Sequence, residues 1–81
     1  MEYKELYEKG FKCGRRMDLS LGRKLQLLNM VKANNRQDFA ETLMKYCIAT
    51  QAEFPMELLE CPEDKFGEMA SAFMTGLQSC V

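Results

Sequence analysis

The sequence predicts an all-α fold: a small helical bundle of four main helices plus one short helix. Three observations carry that prediction. Apolar residues recur at three- and four-residue spacing along nearly the whole chain, and no segment alternates apolar and polar residues as a half-buried strand does. The pattern is broken only at "MDLSLG", "ANN", "EFP" and "CP", all rich in turn or capping residues. With 81 residues there is room for one domain, spanning 1–81. A chain of this size buries only about 60 to 65% of its unfolded surface, so helper interactions or a partner would be unsurprising.

The first helix is expected over residues 3–17. Tyr3, Leu6, Tyr7, Gly10, Phe11, Gly14 and Met17 share one arc of roughly 140° at 100° per residue. Lys9, Lys12, Arg15 and Arg16 lie on the other side. Gly10 and Gly14 sit four apart on the apolar arc, at a propensity cost of about 1 kcal/mol each. That cost suggests a neighbouring helix crossing closely there.

Asp18 or Ser20 can cap the second helix, from Leu21 to Ala33. Its Leu21, Leu25, Leu27, Leu28, Met30 and Val31 spread nearly around the wheel, which predicts a central helix covered on most sides. Asn34 or Asn35 caps a third helix, 36–52, with an apolar stripe of Phe39, Ala40, Leu43, Met44, Tyr46 and Cys47. Pro55 biases Phe54 out of the α region, so a break is expected there, followed by a short turn from Met56 to Glu60. The last helix opens with Pro62 at its first position and Glu63 and Asp64 in the first turn. It buries Phe66, Met69, Ala70, Phe73, Met74 and Leu77, with Gly67, Ser71 and Gln78 outward.

Composition narrows the function classes. There is no histidine, no Gly-rich phosphate loop, no nucleophile elbow and no HExxH. A non-catalytic protein without cofactor or metal is expected. Cys13, Cys47, Cys61 and Cys80 form no CxxC pair and read as buried reduced thiols. The charged N-terminus "MEYKELYEKG" is unlike a signal peptide, and no apolar run approaches the roughly 20 residues of a membrane span, so a cytoplasmic protein is expected. Met17, Met30, Met44, Met69 and Met74 read as core filler, whereas Met56 reads as an adaptable exposed contact.

The formal net charge of −1 hides a dipolar chain. Residues 1–48 hold ten Lys or Arg against six Asp or Glu, while residues 49–81 hold one against six. Between Lys9 and Arg36 there are eight cations and one Asp. In the first helix this ordering is what the macrodipole favours, with Glu2, Glu5 and Glu8 ahead of Lys9, Lys12, Arg15 and Arg16. Arg23 and Lys24 fall in the first turn of the second helix, and Arg36 at the start of the third, where the dipole disfavours cations. Cations held against their local field point to an external anion, and a phosphate backbone is the natural candidate. A single such module would bind weakly and without sequence preference. No aromatic is interleaved with the basic run except Phe11, so base stacking is not expected.

The segments "YEKGFKCGRRM", "GRKLQLLNMVKANNRQDFAETLMKYCIAT" and "EDKFGEMASAFMTGLQS" resemble the C-terminal helical domain of the large subunit of type I-B CRISPR Cascade complexes. Such systems also make that domain separately, by internal translation, as the small subunit. The similarity covers nearly the whole chain, and Asp64 to Leu77 is its most specific part. It implies a bundle that packs in several copies along the complex beside other subunits. The row would contact the backbone of the guide RNA–target DNA heteroduplex, help hold the displaced non-target strand and cut nothing. It also implies backbone contacts at Arg15, Arg16, Arg23, Lys24, Lys32 and Arg36, then Lys45, with the acidic C-terminal portion docking on a basic neighbour. The overall negative charge departs from the most basic members of that family.

Two other readings compete. A protein-binding adaptor with no nucleic-acid role would use Tyr3, Tyr7, Met56 and Leu59 as its docking surface. A helix-turn-helix reader built from residues 21–52 is disfavoured, because Asp38 and Glu41 would face the groove.

Overall fold

In a computed structural model of the chain, residues 3–79 are described, so Glu2 and Cys80 lie outside the account that follows. Five helices follow one another, with no strand among the described residues: α1 (Tyr3–Met17), α2 (Leu21–Lys32), α3 (Arg36–Thr50), α4 (Glu57–Glu60) and α5 (Glu63–Gln78). The all-α expectation and the order of elements hold. No helix among the described residues is long and apolar enough to cross a membrane.

The caps explain the boundaries. Of the two candidates before α2, Ser20 is the cap, its Oγ accepting from the Arg23 amide at 3.3 Å. Asp18 instead ends α1, adopting a left-handed φ of 48° with its amide donating to the Gly14 carbonyl. Asn35 caps α3 by accepting from the Asp38 amide at 3.2 Å, and Asn34 supplies the left-handed turn before it. The third helix stops at Thr50, two residues early, because Gln51 turns left-handed with φ 58°. Pro62 is the residue before α5 rather than its first position, at ψ 148°.

The core is built around the α1–α5 pair, the most extensive interface of the molecule. The stripe foreseen on α5 is buried in full, and Leu6 of α1 joins Phe39, Leu43, Leu27 and Leu58 in the same cluster. Phe39 and Phe66 meet edge to face with centroids 5.7 Å apart. The close crossing foreseen from Gly10 is present. A Cβ there would lie 1.9 Å from the Phe73 carbonyl oxygen, and one on Gly76 would lie 2.0 Å from the Tyr7 carbonyl oxygen. The two backbones touch directly at Gly10 and Gly76, and Gly14, the other glycine of the α1 arc, is buried as well.

The expectation for α2 is overturned. It packs mainly on α3 and α5 and buries Leu27 and Val31, leaving Leu21 at 73% and Leu25 at 47% exposure. It is an edge helix, not a central one. Met44 likewise lies at the surface of α3 instead of in the core.

Candidate nucleic-acid interface

The C-terminal half of α1 gathers the densest positive charge. Lys12, Arg15 and Arg16 line one shallow hollow of about 440 Å³. Arg15 and Arg16 stand in the last turn, where the helix dipole favours cations, and both are exposed. Lys12, which the sequence reading left out of its site, belongs with them. A deeper cleft of about 340 Å³ adjoins this surface, with Lys9, Lys12, Cys13 and Arg16 facing the residues just after α3, Gln51, Ala52 and Glu53. The left-handed turn at Gln51 is what swings that segment back toward α1.

Among the described residues a single Lys or Arg forms an ion pair with a carboxylate: Lys9, with Glu57 at the start of α4. Lys12, Arg15 and Arg16 therefore have no carboxylate at ion-pair distance among the described residues. The Lys9 hydrogen bond holds the Glu57 carboxyl below its ordinary range and, by the same contact, holds Lys9 above the usual ammonium value. A depressed carboxyl stabilises the fold fully above its unfolded value and loses that contribution as pH falls through the folded one. Lys9 works in the opposite sense, contributing below its unfolded value and losing it as pH rises through the raised one. Both side chains are partly exposed, at 35% and 21% for Lys9 and Glu57, so the pair is worth only about 0.5 kcal/mol. Glu57→Gln should cost that amount at neutral pH, and its urea midpoint should converge on wild type below about pH 4.

The other cations expected at a phosphate backbone divide into three groups. Arg23 lies over the Tyr46 ring, 5.4 Å from its centroid, so a side chain opposed by the α2 dipole is held by an aromatic face of α3. Lys24 is half-buried, and Lys32 and Lys45 are exposed on α2 and α3; none of the three forms a wall of the α1 hollow. Arg36 stands apart. Its Nε donates to the Leu58 carbonyl at 3.1 Å, and its Nη2 donates to the carbonyls of Leu59, at 2.8 Å, and Cys61. The guanidinium also sits 5.6 Å from the Phe66 ring centroid. A phosphate contact was expected of it; in the fold its guanidinium is held by the partial negative charge at the carbonyl end of α4 within the same chain.

The four residues expected at a protein contact are all exposed: Tyr3 at 44%, Tyr7 at 38%, Met56 at 50% and Leu59 at 38%. They do not share one hollow. Tyr3 lines a cavity of about 420 Å³ with Glu57, Glu60, Pro62, Lys65 and Met69, without the other three. Its hydroxyl donates to Glu68 Oε2 at 2.6 Å, and that bond to a carboxylate raises the phenol above its ordinary range. Cys13, Cys47 and Cys61 are buried free thiols, as expected. The described residues hold no group of three or more potential metal ligands.

Comparison with known proteins finds no matching family model, no matching curated protein and no matching solved structure.

Proposed function

We propose that this chain is a non-catalytic subunit that contacts nucleic-acid backbone within a larger assembly, in the manner of the small subunit of a type I-B CRISPR Cascade complex. The observation that carries the reading is the joint exposure of Lys12, Arg15 and Arg16 on one hollow, with no carboxylate paired to them among the described residues. Phosphates spaced along a backbone are a chemical match for such a surface, and contact with them needs no base recognition. In an RNA-guided complex, sequence is read by guide pairing, so a subunit can serve by charge and placement alone. Three contacts give weak affinity, and multiple copies or tethering supply the rest.

The test is a titration of the intact chain against random-sequence DNA and RNA at several salt concentrations. Arg15→Glu with Arg16→Glu should leave helical content unchanged and abolish measurable binding. Arg15→Ala with Arg16→Ala should lower the slope of log affinity against log salt by about 2 on duplex DNA. Unchanged affinity and slope would refute the assignment. The adaptor reading remains as a second one, favoured by the exposure of Tyr3, Tyr7, Met56 and Leu59. It expects partner binding that survives nuclease treatment and the Arg15/Arg16 changes but is lost in Tyr7→Ala or Met56→Ala.

A further inference from the structure

Base stacking is not expected from the sequence, because Phe11, the aromatic within the basic run, shares the apolar arc of α1. The fold places the ring otherwise. Leu6, Gly10, Gly14 and Met17 of that arc are buried, whereas Tyr7 and Phe11 are 38% and 36% exposed. Tyr7 and Phe11 stand about one helical turn apart and, with Glu8 and Lys12, wall a largely apolar hollow of about 320 Å³. Lys12 also walls the basic hollow that it shares with Arg15 and Arg16, so the two hollows adjoin. Glu8 is the carboxylate among these residues, and its repulsion keeps a phosphate on the Lys12 side. What suits the Tyr7 and Phe11 side is an uncharged, flat ring.

We propose that Tyr7 and Phe11 form a base-stacking subsite beside the phosphate hollow, and that this surface takes single-stranded nucleic acid in preference to duplex. The proposal rests on the backbone-contact reading and adds to it a contact with bases. The occupant follows from continuity and charge. A ligand that reaches Lys12, Arg15 and Arg16 through anionic groups meets the apolar hollow with whatever it carries beside them. In a single strand that is an unpaired base, which offers a π-face to an aromatic side chain whatever its identity. In a duplex those faces are covered by neighbouring base pairs, and the phosphates alone remain to this surface. Stacking raises affinity without releasing further counterions, because it neutralises no additional phosphate. The two contributions therefore separate: the cations set the salt dependence, and the rings set the preference for unpaired bases.

The intact chain is titrated at low salt with three DNAs of equal length: a mixed-sequence single strand, a single strand of abasic sites, and a duplex. The abasic strand carries the same phosphates and no ring to stack. Wild type should bind the base-bearing strand about five-fold or more tightly than the abasic one. Tyr7→Leu and Phe11→Leu keep apolar bulk and lose a ring. Each should narrow that gap while leaving duplex affinity and the salt slope unchanged. The chain has no tryptophan, so Tyr7→Trp adds a single indole. Its emission should be quenched by the base-bearing strand and not by the abasic one. Equal affinity of wild type for the two single strands, with both lost in Arg15→Ala with Arg16→Ala, overturns the stacking subsite and leaves the backbone reading standing. Indifference of all three DNAs to the Arg15 and Arg16 changes overturns both. Leucine variants that keep the full preference for bases also overturn the subsite, and leave Tyr7 to the adaptor reading. Should those variants fail to fold, the wild-type ratio and the Tyr7→Trp quenching decide.

Discussion

Gly10→Ala should destabilise the protein by about 3 kcal/mol or more, a large share of the roughly 4 to 12 kcal/mol expected for 81 residues. The added methyl would meet the Phe73 carbonyl oxygen at 1.9 Å and the Leu77 amide nitrogen at 3.0 Å. Carbon and carbonyl oxygen normally approach to about 3.3 Å. Both obstacles are backbone of a helix in the core, so no rotamer change relieves the clash. The helices must separate by more than an ångström along the interface that buries Leu6, Phe73 and Leu77. Gly76→Ala meets the Tyr7 carbonyl at 2.0 Å and should behave alike. Once one substitution has parted the helices the second has less to disrupt, so the double variant should cost less than the sum. Gly22 and Gly67 are the controls. Each is helical with nothing within 4 Å of a built Cβ and no positive φ, so alanine there should stabilise by about 0.5 to 1 kcal/mol. Urea midpoints of the four single variants decide the matter. Four shifts of one sign would remove the close crossing as an explanation.

The same pair of glycines marks how far local pattern reaches. Gly10 was legible because it interrupts an apolar arc, where its propensity cost needs a reason. Gly76 lies on α5 among good core formers, and its partner is the Tyr7 carbonyl, remote in sequence. Nothing in the local spacing of α5 marks it as a contact point. The stripe of α5, by contrast, was readable residue by residue, because a helix packed along its whole length on α1 must show the periodicity of that contact.

The second helix went the other way. A wheel counts apolar residues but says nothing about how many neighbours are available to cover them. In so small a bundle α2 packs mainly on α3 and α5, and Leu21 and Leu25 are left on the uncovered side. The charge reading was divided similarly. That Arg15 and Arg16 are exposed at a helix end followed directly from sequence order. That Arg23 and Arg36 oppose their own helix dipoles was also visible. What could not be seen is that each has an internal counterpart: the Tyr46 ring 23 residues on for Arg23, and for Arg36 the carbonyls at the end of α4. A misplaced cation announces a partner without saying whether it lies inside the molecule.

Arg36 therefore supports the second large effect. Arg36→Met should lower stability by about 2 to 4 kcal/mol, since it strips charged hydrogen bonds from the carbonyls of Leu58, Leu59 and Cys61 and removes the cation above Phe66. Leu58 and Cys61 are buried, so water does not readily replace the lost donors. α4 has only four residues, too few to persist without tertiary support, and Arg36 supplies that support by donating to the carbonyls at its end. Arg36→Lys should recover less than half of the loss: one ammonium cannot serve three carbonyls and a ring face, which the planar guanidinium spans. The expected signature is a lowered urea midpoint with amide exchange accelerated first at Leu59, Glu60 and Cys61. Arg23→Met, losing one exposed ring contact, should cost no more than about 1 kcal/mol. The two possible roles of Arg36 also separate cleanly in the binding assay. A clamp lowers stability in Arg36→Met while the folded protein keeps its affinity for polyanions. A phosphate ligand would leave the urea midpoint where it is and weaken binding, and that result would return Arg36 to the basic surface.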